Sequence, residues 1–266
     1  MEAEGPEAVF DQPEKLMRGT MRKAPGDPKE IFDGIVSDYT GVFGDGLVSI
    51  ICFGSAAGGE YRPGKSDINF MIVLEDDAIE NLDEAFGIIA RWHPRNVATP
   101  VFVTEAYVCS SVDVFPIEYL DMQSSHILVY GKDVLSKLTF ENEHIRLQCE
   151  REVKGKLLLL RERFVETQGK TKALSALIGE SLGAFIAIFE GLLHLKNKEI
   201  PARKTEIVAV TCRSFELDGE LFEILLRIRD GKLKPSNAES IDYFKQYLKQ
   251  IKTLSRIVDS IGGPNE

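Results

Sequence analysis

Short apolar segments divide the first half of the chain into predicted elements. Asp27 and Pro28 predict the start of a helix, because proline is favoured at the first helical position, and apolar residues then recur at helical spacing up to Phe43. Further apolar runs, separated by turn residues, predict four strands and a second helix. The strands are predicted at residues 47–53, 68–74, 100–104 and 114–122, and the second helix at residues 78–92.

The pattern changes after about residue 140, where four or five apolar or amphipathic helical stretches follow one another. Residues 171–195 are apolar around so much of the helix circumference that we expect them to form the central helix of a bundle. The fold class is therefore predicted to be α+β. A flexible tail (1–24) would precede a small mixed-sheet domain (25–140), and an all-α helical bundle (141–266) would follow.

Charge and composition narrow the classes of function. The formal net charge is −10, which argues against bulk binding of nucleic acid. Residues 1–143 have a net charge of −14 and residues 144–266 have a net charge of +4. The lysines and arginines of the mildly basic second half could bind the phosphates of a ligand. The same excess of basic residues is also expected if they simply lie on solvated helix faces.

The cysteines and the apolar segments suggest a cytoplasmic location. The four cysteines lie far apart and include no Cys-x-x-Cys pair, which is typical of reduced residues in a cytosolic protein. No apolar stretch near the first residue resembles a signal peptide. Glu180 and Glu190 interrupt the one apolar stretch of membrane-spanning length, so we expect a buried helix and no membrane association.

The segment that joins the first two predicted strands contains the most informative residues. Gly54 and Ser55 follow the first strand, and Asp67 and Asn69 stand two apart at the start of the second, which places both side chains on one face. Glycine lets the backbone approach phosphates closely, and paired oxygen-bearing side chains suit a Mg²⁺ ion bound to those phosphates. The segment therefore predicts phosphoryl chemistry on a nucleotide.

These residues resemble the signature of the DNA polymerase β-like nucleotidyltransferase superfamily, which includes kanamycin-type and minimal nucleotidyltransferases. The family pattern is a hydrophobic residue, Gly, Gly or Ser, a spacer of roughly ten residues, then Asp, a hydrophobic residue and a second acid. This chain has Asn69 in place of the second acid. The resemblance covers about residues 28–140 and implies that Gly54 and Ser55 bind the nucleotide while Asp67 and Asn69 bind Mg²⁺.

The resemblance also implies a third carboxylate on a later strand. The family pattern assigns this position to Glu118, which would be a general base for the acceptor hydroxyl or a ligand of a second metal ion. Asp113 is the competing candidate. A purely structural acid at position 118 is the other alternative.

Basic and hydroxyl side chains complete the candidate nucleotide site. Arg62, Lys65 and Ser66 lie in the loop between the first two strands, where the phosphates of an NTP would lie. Lys170 and Lys172 stand at the start of the long apolar helix, whose amide dipoles also favour anions. The resemblance implies that a basic residue of a helical second domain contacts the phosphates in related enzymes.

Two functions from different classes follow from these residues. The first is a Mg²⁺-dependent nucleotidyltransferase that transfers a nucleoside monophosphate from an NTP to a hydroxyl acceptor, with its activity impaired by Asn69. The second is a catalytically inactive nucleotide-binding or protein-interaction module, such as a pseudoenzyme or a toxin–antitoxin-like partner. An amide in place of a carboxylate removes a charge from the metal site, which motivates the second function. Both are compatible with a homodimer or a protein partner.

Overall fold

The computed structural model describes residues 24–201 and 203–261. The predicted tail falls almost entirely outside these residues. The described chain forms two compact units. The first unit contains the residues up to Val112 and Met122–Leu138, and the second contains Asp113–Asp121 and the residues from Thr139 onward. The predicted boundary between residues 140 and 141 stays a prediction.

The elements of the first half include four strands and five helices in the described residues. The strands are β1 (Leu47–Phe53), β2 (Asn69–Leu74), β3 (Val101–Val103) and β4 (His126–Gly131). The helices are α1 (Phe32–Phe43), α2 (Asp76–Ile79), α3 (Phe86–Trp92), α4 (Glu105–Ser110) and α5 (Pro116–Ser124). The first three predicted strands are confirmed. The predicted helix at residues 78–92 is divided into the end of α2, a 3₁₀ turn over Leu82–Ala85 and helix α3.

The start of α1 follows the sequence prediction. A 3₁₀ turn over Pro28–Ile31 precedes it, and the Asp27 side chain accepts a hydrogen bond from the backbone N–H of Lys29. The Glu30 carboxylate accepts in return from the backbone N–H of Asp27, which completes a capping box. The helix ends at Gly44, whose φ of 50° is accessible to glycine at little cost.

The four strands form one mixed sheet in the order β3-β2-β1-β4. Strand β1 is antiparallel to both β2 and β4, and β2 is parallel to β3. One face of β1 and β2 buries alternate residues in a core with α1. The members of this core from the two strands are Ile50, Cys52, Phe70 and Ile72, and those from the first helix include Ile35 and Tyr39. Phe53 and Asn69 therefore point to the opposite face.

Gly131 allows β4 to approach β1 closely. Its φ is 76°, and a Cβ atom at this position would lie 2.0 Å from the carbonyl oxygen of Val48. No side chain can be placed at that distance, so only glycine is compatible with this pairing.

The second half of the chain is helical, as predicted. Five helices occur in its described residues, namely α6 (Asn142–Glu166), α7 (Thr171–Leu195), α8 (Lys204–Ser214), α9 (Gly219–Arg229) and α10 (Asn237–Ser260). The mixed sheet of the first half and the helices of the second confirm the α+β class.

Helix α7 is the core of the second unit. Its apolar side chains are buried on most sides, including Leu177, Phe185 and Phe189, which confirms the prediction for residues 171–195. By length and composition alone α7 is the one helix of the described residues that could cross a membrane. Most of that apolar window is buried inside the protein, as in the core helix of a bundle.

Edge-to-face aromatic contacts join three helices in this core. Phe189 of α7 contacts Phe222 of α9 with ring centroids 6.1 Å apart, and Phe222 contacts Tyr247 of α10 at 5.9 Å. Tyr247 in turn contacts Phe185, one turn before Phe189 on α7. These geometries are the favourable ones for aromatic pairs.

The prediction of a strand at residues 114–122 is wrong. Residues from Pro116 to Ser124 form helix α5, and Pro116 is its first residue. Proline suits the first helical position because the N–H it lacks would have no intrahelical partner there. Ile117 and Leu120, three residues apart, bury their side chains against α6 and α7 residues of the second unit. Helical burial therefore outweighs the strand propensity of this segment.

We expect Phe189→Ala to lower the free energy of unfolding by about 3–5 kcal/mol, because the phenyl ring is fully buried and its neighbours can close the cavity only in part. Urea unfolding followed by circular dichroism measures the loss. Ala184→Ser, at an exposed position of the same helix, is the control and should change stability by no more than ~0.5 kcal/mol. An equal effect of both substitutions would contradict the central role of α7.

Candidate functional site

A tight turn follows β1 and contains both residues of the predicted Gly-Ser motif. Gly54 has a φ of 72°, and residues Gly54–Ala56 form a 3₁₀ turn. The Gly54 carbonyl accepts hydrogen bonds from the backbone N–H groups of Ala57 (3.0 Å) and Gly58 (2.9 Å). The backbone therefore curls directly after the strand and has no bulky side chain at Gly54, Gly58 or Gly59.

The register of the sheet brings Asn69 against this turn. Phe53 pairs with Asn69 across β1 and β2, so the start of β2 lies beside the end of β1. A Cβ atom on Gly54 would lie 3.1 Å from Nδ2 of Asn69, closer than nine in ten real Cβ contacts. The half-buried amide of Asn69 thus packs directly on the backbone of the Gly54 turn.

Asp67 lies on the same side of the second strand as Asn69. Between them, Ile68 is buried in the core with α1 and bridges to Val97, so the alternation of the chain directs its two neighbours to the opposite face. Asp67 is exposed. Burial raises the pKa of the Tyr61 hydroxyl, and the nearby charges of Glu30 and Asp67 add to this effect. The predicted pair of polar residues is thus present on one face.

The loop residues Arg62, Lys65 and Ser66 form a local turn. The Ser66 hydroxyl accepts a hydrogen bond from the Arg62 N–H at 3.1 Å, and the Arg62 carbonyl accepts from the N–H groups of Lys65 and Ser66. The side chains of Arg62 and Lys65 are exposed. Ser66 therefore stabilises the loop. The roles predicted for these residues in phosphate binding stay predictions.

Ser125 and His126 also lie beside the Gly54 turn, and the sequence analysis did not select them. His126 pairs with Phe53 across β1 and β4, on the other side of Phe53 from Asn69. A Cβ atom on Gly58 would lie 3.0 Å from the Ser125 hydroxyl oxygen. Asn69, Phe53 and His126 form one row across three strands, with side chains on the same face.

Hydrogen bonds fix the orientation of the His126 ring. Its Nδ1 lies 3.0 Å from the carbonyl oxygen of Met122, and its Nε2 lies 3.2 Å from Oδ2 of Asp133. Burial alone would raise the Asp133 pKa, but hydrogen bonds from His126 and from the N–H groups of Ser136 and Leu135 outweigh it and lower the pKa. Both ring nitrogens therefore have an oxygen atom within hydrogen-bond distance.

The sequence predicts that Glu118 lies on a strand, but the residue lies on helix α5. It belongs to the second unit, where its carboxylate accepts a hydrogen bond from Nε2 of Gln148 at 2.6 Å. Burial raises the Glu118 pKa, and the hydrogen bond from Gln148 opposes this shift. Oε1 of Gln148 also accepts from the backbone N–H of Ile117 at 2.9 Å. These contacts give Glu118 a structural role, and its catalytic role stays a prediction.

The other predicted residues of the second unit are exposed. Asp113 lies before α5, Lys170 is the residue that precedes the first turn of α7, and Lys172 lies in that turn. The predicted role of Asp113 as an alternative third acid and the predicted contacts of Lys170 and Lys172 with a nucleotide stay predictions.

No strand after β2 provides the third carboxylate that the family pattern requires. The described later strands, β3 and β4, contain no aspartate or glutamate. In the described ranges, no three side chains of His, Cys, Asp or Glu lie where they could hold a metal ion together. Asp67 stands two residues before Asn69, the residue that the sheet register brings against the Gly54 turn.

Comparisons with known proteins give little information on function. No protein-family profile and no curated protein sequence matches the chain. One similar solved structure is that of spectinomycin adenyltransferase AAD(9) from Enterococcus faecialis with ATP and spectinomycin. The two chains are 13% identical, the TM-score is 0.47, and the match covers 84% of this chain and 99% of that chain.

A buried carboxyl group, that of Glu190, interacts with Asp121 in the second unit. Glu190 of α7 is 4% exposed, and its Oε2 has no hydrogen-bond partner among the described residues. Burial raises the Glu190 pKa well above its ordinary value, and the charge and hydrogen bond of Asp121 raise it further, while Lys204 opposes the shift. Glu190 is therefore neutral near pH 7, as expected for a carboxyl group in a helical core.

The raised pKa predicts that stability falls as the pH rises. Below the ordinary carboxyl pKa both states hold the proton. Above it the unfolded state releases the proton while folded Glu190 retains it, so the free energy of unfolding falls by up to ~1.4 kcal/mol per pH unit until the raised pKa is reached. Glu190→Gln should flatten this decline in urea titrations from mildly acidic to alkaline pH. Glu180→Gln, at an exposed position of the same helix, should keep the wild-type profile.

We expect Gly54→Ala and Gly59→Ala to separate backbone conformation from crowding. Both glycines have a positive φ (72° and 75°), but a Cβ at position 59 would have open space. Each alanine should cost roughly 1–2 kcal/mol for the left-handed conformation. Gly54→Ala should cost more, because the new methyl displaces the Asn69 amide. Thermal unfolding gives the stabilities, and equal losses in the two variants would refute the contact with Asn69.

Proposed function

We propose that this protein binds an NTP at the Gly54 turn and acts as a weak nucleotidyltransferase on a hydroxyl acceptor. The observation that carries the proposal is the packing of Asn69 on Gly54, with Asp67 on the same face of the chain. A glycine-rich turn next to polar oxygen-bearing groups is an environment suited to phosphates. The sequence pattern of the nucleotidyltransferase superfamily supports the same assignment.

The residues present are chemically suited to a Mg²⁺ ion that arrives with the nucleotide. Magnesium in such sites is bound through one or two carboxylates together with phosphates and water. Asp67 would supply the carboxylate, and Asn69 would supply a neutral amide oxygen. When bound, the ion would neutralise charge on the phosphates during transfer. Asp67 and Asn69 would position the nucleotide, and the Gly54 and Ser55 backbone would contact its phosphates.

Weak activity follows from the small number of acids. With Asn69 in β2, the start of this strand contributes one carboxylate, Asp67, and no described later strand adds another. In-line transfer depends on charge neutralisation and positioning more than on covalent chemistry, so each missing charge lowers the rate. The same observation favours a second candidate function, nucleotide binding without transfer.

We expect Asn69→Asp to increase Mg²⁺-dependent NTP binding and any transfer activity, because it restores the second acid of the family pattern. One transition-state contact corresponds to ~10²–10³-fold in rate. Asp67→Ala should abolish both binding and transfer. Isothermal titration calorimetry with a non-hydrolysable NTP, with and without Mg²⁺, measures binding, and release of pyrophosphate measures transfer.

The control is Asp76→Ala, an exposed acid at the other end of β2, which should leave binding and transfer unchanged. Nucleotide binding without transfer in both the wild type and Asn69→Asp would favour the non-catalytic candidate. Absence of nucleotide binding in both proteins would refute the site. Transfer at an ordinary enzymatic rate by the wild type, with no gain from Asn69→Asp, would refute the argument from the missing charge.

A further inference from the structure

An exposed acidic segment follows β2 at the end opposite to the Gly54 turn. We call residues 75–86 the acidic ridge. Its six acids are all exposed, namely Glu75, Asp76, Asp77, Glu80, Asp83 and Glu84. The sequence contains no lysine or arginine between Lys65 and Arg91. None of the six carboxylates forms an ion pair with a described basic residue.

Large apolar side chains are exposed on and beside this ridge. Phe86 is 71% exposed, and Leu82, four residues earlier, is 36% exposed. Val42, near the end of α1, is also 36% exposed. Leu82 begins a 3₁₀ turn and Phe86 begins α3 directly after that turn, so two exposed apolar side chains lie within one short stretch of the ridge. An exposed phenyl ring next to further apolar side chains is typical of an interaction site.

A surface cleft of about 370 Å³ connects the ridge with α1. Val42 and Phe43 form its apolar side, and Glu75, Asp77 and Glu84 are among the acids that line it. The walls are held together by backbone contacts, since the Glu75 N–H donates to the Gly46 carbonyl at 2.9 Å. A Cβ atom on Gly46 would lie 2.7 Å from Cβ of Ala78, so the two segments are in direct contact.

We propose that the acidic ridge and its cleft form a docking surface for a basic amphipathic segment of a partner protein. The apolar residues would contact the aliphatic side chains of the segment, and the unpaired carboxylates would face its lysines and arginines. A metal ion is a poor occupant, because these acids do not converge on a common point. An anionic membrane surface would be repelled by the charge of the ridge.

The position of the surface separates it from the proposed nucleotide site. Asn69 begins β2, and Glu75 directly follows its last residue, Leu74. Six strand residues span about 17–20 Å, so a partner docked on the ridge would leave the Gly54 turn accessible. The docking surface therefore does not depend on whether the protein transfers nucleotides.

A fluorescently labelled synthetic peptide tests the proposal, with leucines at helical spacing on one side and lysines on the other. We expect fluorescence anisotropy to show saturable binding to the full chain that weakens as salt is added. The triple variant Glu80→Lys, Asp83→Lys and Glu84→Lys should weaken binding at low salt by about tenfold or more. Phe86→Ser should weaken it about tenfold, by removing the apolar contact.

The matched controls lie on α6 of the second unit. Glu162→Lys and Glu166→Lys reverse two exposed acids, and Val165→Ser replaces a side chain that is 75% exposed. These variants should bind the peptide like the wild type. No saturable binding by the wild type, or equal weakening by the control variants, would overturn the proposal. Self-association of the full chain that Phe86→Ser abolishes in analytical ultracentrifugation would also overturn it, by making a second copy the occupant.

Discussion

The antiparallel pairing of β1 with β2 is the constraint on which the candidate site depends. Because Phe53 stands opposite Asn69, the turn that follows one strand meets the polar residues that begin the other. A shift of one residue in this register would turn Asn69 toward the core with α1 and bury an amide among apolar side chains. The hydrophobic alternation that buries Cys52 and Phe70 thus also fixes where the polar chemistry lies.

The sequence was sufficient for those parts of the fold that depend on local signals. The first helix has a proline and a reciprocal cap at its start, and residues 47–53 and 68–74 are apolar runs bounded by turns, so each could be recognised alone. The prediction of a strand at residues 114–122 is wrong because the side chains of this segment are compatible with both a strand and a helix. The helical conformation is favoured because it buries Ile117 and Leu120 among the helices of the second unit. These packing partners are distant in sequence, so a local pattern does not reveal them.

The sequence predicts the site residues that lie next to β1 on β2, but not those that lie next to β1 on β4. Gly54 follows β1 and Asn69 begins β2, two neighbouring strands close in sequence, and the pair matches a known spacing, so their contact is predictable. Ser125 and His126 reach the same turn through the pairing of β4, a strand whose side chains are partly exposed and therefore give a weak apolar signal. Pairing between segments so distant in sequence has no local signature.

The close approach of β4 to β1 also limits how this chain can vary. At Gly131 even a methyl group would overlap the carbonyl of Val48, so the requirement for glycine comes from space and not from chemistry. Any chain whose last strand approaches the first this closely therefore needs a glycine at this position, whichever residues form the turn after its first strand.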